Sequence, residues 1–181
     1  RRQEGYKKED AASPTVTNSN VMITGAIEAH EGRDVATVDL PGAFLHALSD
    51  EEILMLLKGP LAEMMVLIDP KIYRQYITYD SKGEALMYVR MNKALYGLLR
   101  SALLFYKKLL VDLEAYGFRL NQYDPCVANK MVNGHQMTVC WHVDDLKVSH
   151  AEEAVVTGFL EWLERQYGQL QTTRGKTHSY L

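Results

Sequence analysis

The chain has 181 residues, 47% hydrophobic and 24% charged, and its 20 Lys and Arg against 23 Asp and Glu leave a net charge of −3. That length suits one domain with a core of its own, the composition excludes a disordered chain, and a mildly acidic balance gives no global argument for nucleic-acid binding. No apolar run approaches the roughly 20 residues that cross a bilayer, and the opening RRQEGYKKED is too polar for a signal peptide, so an intracellular protein with no membrane partner is expected.

Residues 1–14 read as a charged, extended arm ending at Pro14. From Thr15 to about His30, apolar Val21, Ile23, Ile27 and Ala29 behind an Asn/Ser-rich start predict a helix. RDVATVDL is a β-branched strand ending near Asp39, PGAF turns the chain out of it, and EEILMLLKG is a second strand. Asp69 as cap and Pro70 at the first helical position open a short helix, DPKIYRQYI. After the turn SKG, EALMYVRMNKAL alternates as a strand does. The period then changes: Leu99, Ala102, Leu103, Tyr106, Leu109, Leu110, Leu113 and Tyr116 fall at helical spacing, closed by Gly117. CVANKMV and HQMTVCWHV form a hairpin about Asn133-Gly134, LKVSH pairs back, and EEAVVTGFLEWLERQYG is an amphipathic helix. QLQTTRGKTHSYL reads as two short strands about Arg174-Gly175. The predicted class is α+β, a mainly antiparallel sheet with helices gathered on one face. Cys126 and Cys140 form no C-x-x-C, which fits a reducing compartment and not a zinc site.

Asp144 and Asp145 interrupt an otherwise strand-like run, TVCWHVDDLKVSH. An Asp pair in a turn is ordinarily structural. A crowded carboxylate pair, however, repels itself and is relieved by a proton or a cation. Asp39 ends the first strand, so if the two strands are neighbours three carboxylates converge at one sheet edge. Such a cluster suits two divalent cations about 3.5–4 Å apart, an arrangement that serves in-line phosphoryl transfer. Mg²⁺ fits its hard oxygen ligands, with Mn²⁺ as a substitute.

Six segments in order, SPTV (13–16), VDLPGAFLHA (38–47), NKALYGL (92–98), YGFRLNQYDPCVANK (116–130), WHVDDLKVSH (141–150) and TRGKTHSYL (173–181), resemble the reverse transcriptase of copia-type LTR retrotransposons. The resemblance implies a polymerase palm with part of the fingers over 15–181, with 1–14 as what remains of a preceding fingers segment. It implies RNA-directed DNA synthesis, with an RNA or DNA template and primer and deoxynucleoside triphosphates as partners. Asp39, Asp144 and Asp145 match the catalytic, metal-binding aspartates, Asp145 being the more peripheral. The N–H groups of Gly42 and Ala43 match those that hold triphosphate oxygens, and Phe44 matches the aromatic gate against a 2′-OH. Tyr96 and Gly97 match the turn lining the nucleotide pocket. His142 stands where the family carries Tyr or Phe beside the primer terminus, which puts primer contact in question and introduces a titrating group. Arg100, Lys107 and Lys108 read first as a solvated face and second as phosphate contacts.

By the same resemblance the parent is a polyprotein with integrase and ribonuclease H, in a cytoplasmic virus-like particle or the nucleus. The chain stops at SYL, before the thumb, so a fragment that polymerises poorly by itself is expected. The alternative is an inactive transposon remnant acting at most as a nucleic-acid-binding or interaction module; a nucleotide cyclase is a weaker third reading.

Overall fold

In the computed structural model, which describes residues 12–175, 177, 178 and 180, helix α1 (Asn18–Glu31) begins at Thr17, whose side chain accepts from the Asn20 N–H. The helix closes on Gly32 in the left-handed region, and the chain enters β1 (Asp34–Asp39). A 3₁₀ turn over Ala43–His46 follows. Next come β2 (Leu48–Lys58), α2 (Pro60–Ile68), α3 (Pro70–Tyr73), a 3₁₀ turn at Arg74–Tyr76, β3 (Thr78–Tyr79) and β4 (Ala85–Lys93). The remainder is α4 (Ser101–Tyr116), β5 (Arg119–Leu120), β6 (Val127–Val132), β7 (His135–His142), β8 (Asp145–His150), α5 (Glu153–Tyr167) and β9 (Gln171–Arg174). The extended arm expected over 1–14 lies almost wholly outside the described residues. Of the second strand expected after Gly175, positions 176, 179 and 181 also lie outside the described residues, and Thr177, His178 and Tyr180 are not in a strand.

Two compact units share this chain, one of residues 12–47 with those from 94 onward, the other of residues 48–93. The first is built on a six-stranded antiparallel sheet in the order β5-β6-β7-β8-β1-β9. Strand alternation sorts its two faces. Ala36, Val38, Val139, Trp141, Leu146 and Val148 share one face through the β1–β8 and β7–β8 register, and all are buried. Phe105, Leu109 and Leu113 of α4 and Val156, Phe159 and Leu163 of α5 belong to the same core, with Tyr106 of α4 packed 6.3 Å from Trp141 between ring centroids. Each such aliphatic or aromatic side chain contributes roughly 1.5–3 kcal/mol on burial. Helices α4 and α5 thus gather on one face, as the pattern of the sequence predicts.

The other face carries Lys147, and α1 covers it. Lys147 is 6% exposed, and its Nζ donates to Thr24 Oγ1 and Glu28 Oε2 of α1, each at 2.9 Å. Asp124 fastens the same helix from the loop before β6. Its Oδ2 accepts from the Thr17 N–H at 3.0 Å, Thr17 Oγ1 at 3.1 Å and Asn20 Nδ2 at 2.7 Å, while Oδ1 accepts from the Cys126 N–H at 2.9 Å.

In the second unit β2 and β4 pair antiparallel, with β3 on the far side of β4. Helix α2 is a helix that sequence periodicity did not reveal, because LAEMMVLI is apolar on nearly every side and marks no face. Gly59 followed by Pro60 at the first helical position was the available signal. No helix among the described residues is long and apolar enough to cross a membrane.

Candidate active site

Strands β7 and β8 meet in a two-residue hairpin in which His142 opposes Asp145, so that Val143 and Asp144 form the turn. Val143 has φ 59°, a left-handed value that a β-branched residue adopts at a cost of about 1–2 kcal/mol. Glycine is the usual occupant of such a turn position. The hairpin at Asn133-Gly134, with both φ values positive, is by contrast unstrained. Two neighbours bear on the strained turn: the Asp144 carbonyl accepts from the Leu40 N–H at 3.2 Å, and β1 runs alongside β8.

That register brings Asp39 directly opposite Asp145, with Asp144 one residue away in the turn. The three aspartates therefore sit at the ends of two interior strands, not at a lateral edge of the sheet, since β9 pairs on the outer side of β1. Asp39 and Asp144 are half-buried and Asp145 is exposed. The Asp145 carboxyl is shifted above its ordinary value by partial burial and then by the negative charges of Asp144 and Asp39, with His142 opposing the shift. Asp39 and Asp145 also line one cavity of about 510 Å³, together with Thr37, Thr173 and Tyr180.

Asp144 has a partner of its own. The Tyr96 hydroxyl donates to Asp144 Oδ2 at 3.0 Å. Burial, that hydrogen bond and the charges of Asp144 and Asp39 push the phenol up to about 12, which keeps it protonated and donating at neutral pH. Among the described residues no three acidic, histidine or cysteine side chains stand close enough together to be three ligands of one ion. Mg²⁺ does not need such a cage: it is ordinarily held by one or two carboxylates, with water and substrate phosphates supplying the remaining oxygens. An all-oxygen donor set in which three carboxylates crowd together fits that ion.

The remaining residues singled out by sequence fall around this cluster. Gly42 has φ 63° and starts the 3₁₀ turn. The Ala43 N–H already donates to the Leu40 carbonyl at 3.2 Å, closing the turn, so it is not the open anion donor expected of it. Phe44 is 9% exposed and belongs to the core, with ring centroids 4.2 Å from Tyr96 and 6.3 Å from Phe105. Gly97 is exposed with φ 93°, a conformation that explains glycine there, and a Cβ would meet nothing within 4 Å. His142 is half-buried, and its Nδ1 is buried without a hydrogen-bond partner among the described residues. Trp141 is core. Of the basic residues on α4, Lys108 is bonded to Asp112 at 2.5 Å and Lys107 is exposed.

Three contributors escaped sequence reasoning. Asp124 was passed over inside YGFRLNQYDPCVANK, although Asp-Pro is a turn signal whose carboxylate commonly bonds backbone N–H groups just beyond it. The Tyr96–Asp144 hydrogen bond spans 48 residues and has no local signature. Tyr180, whose hydroxyl donates to the Cys140 carbonyl at 3.2 Å, lines the cavity beside Asp39 and Asp145. A second cavity of about 650 Å³ opens near Tyr123, away from the aspartates. Arg119, Lys130 and side-chain amides line it, with no carboxylate among them.

A search of curated proteins finds no match. Among solved structures, the telomerase of Candida albicans in complex with a fragment of telomeric RNA aligns at 10% identity and a TM-score of 0.42 over 96% of this chain. The chain spans 33% of that protein's chain. The profile described as reverse transcriptase (RNA-dependent DNA polymerase) matches residues 1–178. Since that match runs over nearly the whole sequence and takes in every aspartate of the cluster, the chain belongs to the reverse transcriptase (RNA-dependent DNA polymerase) family.

Proposed function

We propose that Asp39, Asp144 and Asp145 form the catalytic centre of an RNA-directed DNA polymerase that adds deoxynucleotides to a primer 3′ end on an RNA or DNA template. The parent in this reading is a copia-type retrotransposon polyprotein with integrase and ribonuclease H, acting in a cytoplasmic virus-like particle or the nucleus. The observation that carries the proposal is the β1–β8 register, which opposes Asp39 to Asp145 beside the strained turn that holds Asp144.

The chain's own residues divide the work as follows. Two Mg²⁺ ions, or Mn²⁺, when bound would neutralise triphosphate charge and stabilise the attacking and leaving oxygens. Asp39 and Asp144 would hold them, while Asp145 keeps the local potential negative from a more exposed position. The Gly42 N–H, at a turn set by positive φ, offers a backbone donor to phosphate oxygen. Phe44, backed by Phe105, sets the wall against which a sugar 2′-substituent would press. Gly97 lets the chain turn beside the nucleotide, and His142 lies on the strand that leads into the turn, toward the primer terminus. In this scheme the unit on the six-stranded sheet is the palm, and residues 48–93 are part of the fingers.

Primer extension on an RNA template by the intact protein, beside its Asp144→Asn variant, tests the reading. Synthesis that needs Mg²⁺ and falls by at least about a hundredfold in the variant is expected, because a ligand lost from such a centre costs no less than the loss of a residue that only orients one. Synthesis that is indifferent to Asp144 contradicts it.

A further inference from the structure

Tyr96 is 51% exposed, yet both its ring and its hydroxyl have partners. The chain before it is pinned where the Ala94 N–H donates to the Ala47 carbonyl at 3.0 Å. The buried Ser101 hydroxyl braces the next residue twice: it accepts from the Leu95 N–H at 3.1 Å and donates to the Leu95 carbonyl at 2.6 Å. The Tyr96 ring then lies against Phe44, with centroids 4.2 Å apart and planes inclined by 31°. Backbone and ring are both fixed before the hydroxyl reaches Asp144 Oδ2 at 3.0 Å. A carboxylate has two oxygens and about four lone-pair directions, so a donor on Oδ2 leaves Oδ1 for a cation.

We infer that Tyr96 is a positioning residue of the cation site: its hydroxyl fixes the Asp144 carboxylate by one oxygen and so presents the other to the metal. This inference rests on the carboxylate reading above. It gives Tyr96 a role apart from lining the nucleotide pocket, because the group that acts is the hydroxyl and its target is a carboxylate of this chain. The ring contact with Phe44 also joins the wall proposed for the nucleotide site to the residue that orients Asp144. Hydrogen-bond partners that orient metal-binding carboxylates carry about 10–100-fold in metal affinity.

The test is Mn²⁺ titration of this chain followed by electron paramagnetic resonance, with wild type, Tyr96→Phe and Asp144→Asn measured alongside their metal-free melting temperatures. Tyr96→Phe keeps the ring and its contact with Phe44, so its melting temperature should be unchanged. Its Mn²⁺ affinity should fall by about 10–100-fold, and Asp144→Asn should lose the site. If Tyr96→Phe binds Mn²⁺ as tightly as wild type or more tightly while Asp144→Asn is defective, the role given to Tyr96 is overturned and the carboxylate reading stands. If wild type binds no Mn²⁺, or Asp144→Asn binds it like wild type, both are overturned.

Discussion

At the scale of single residues, Asp124 and Phe44 carry separate consequences. Burial works to raise the Asp124 carboxyl, but hydrogen bonds from Asn20, Thr17 and Cys126 outweigh it and hold the group below its ordinary value. A carboxylate depressed in the folded state contributes stability above its unfolded pKa and loses it as the pH falls through the folded one. Replacing Asp124 with Asn should therefore cost about 2–3 kcal/mol at pH 7. The gap between variant and wild type should narrow below about pH 4, as urea unfolding at pH 7 and pH 3 would show. A gap that is the same at both pH values would mean that the charge is not what fastens α1. In the proposed polymerase, Phe44 would bear on sugar choice. Phe44→Val should raise ribonucleotide incorporation by the intact polymerase while leaving Mg²⁺ dependence in place, and because the residue is buried it should also cost about 2 kcal/mol of stability. Discrimination unchanged at full metal dependence would leave Phe44 a core residue alone. Asp144 and Asp145 were legible because a charged pair breaks a strand pattern visibly, and Asp39 only as the end of a strand whose neighbour the sequence did not fix. The Tyr96–Asp144 hydrogen bond, the bonds of Asp124 and the occupied Ala43 N–H were not legible, because each depends on a partner that only folding supplies.

At the scale of elements, the attachment of α1 to β8 rests on a buried ion pair two residues beyond Asp145. Lys147 and Glu28 are both under a tenth exposed and lie 2.9 Å apart. Removing one partner strands the other charge away from water, whereas replacing both with apolar groups need not be costly. Lys147→Met alone should destabilise by about 3–5 kcal/mol. The double variant Lys147→Met/Glu28→Leu should recover most of that loss in chemical denaturation, and additive losses would argue against a coupled pair. Periodicity revealed α4, α5 and the β6–β7 hairpin because each shows a single buried face or an Asn-Gly turn. It could not reveal that α1 lies over a lysine: Thr24 and Glu28, its buried positions, look like solvent-facing residues in sequence.

At the scale of the whole molecule, an antiparallel sheet brings together acids that are 105 and 106 residues apart in the chain, since Asp39 must find Asp144 and Asp145. Such pairing makes the cluster depend on the β1–β8 register, because a slip of one residue would turn Asp39 to the opposite face of the sheet from Asp145. The proposed function makes Asp39 and Asp144 a cation-binding centre, with Asp145 beside them. It is tested most directly by diffraction from crystals of this chain soaked with Mn²⁺ and a deoxynucleoside triphosphate, with the ion located by its anomalous scattering. An anomalous peak is expected at coordination distance, about 2.0–2.3 Å, from oxygens of Asp39 and Asp144, with Asp145 beside it. Mn²⁺ and triphosphate bound together elsewhere on the molecule, with Asp39 and Asp144 contacting neither, would contradict it.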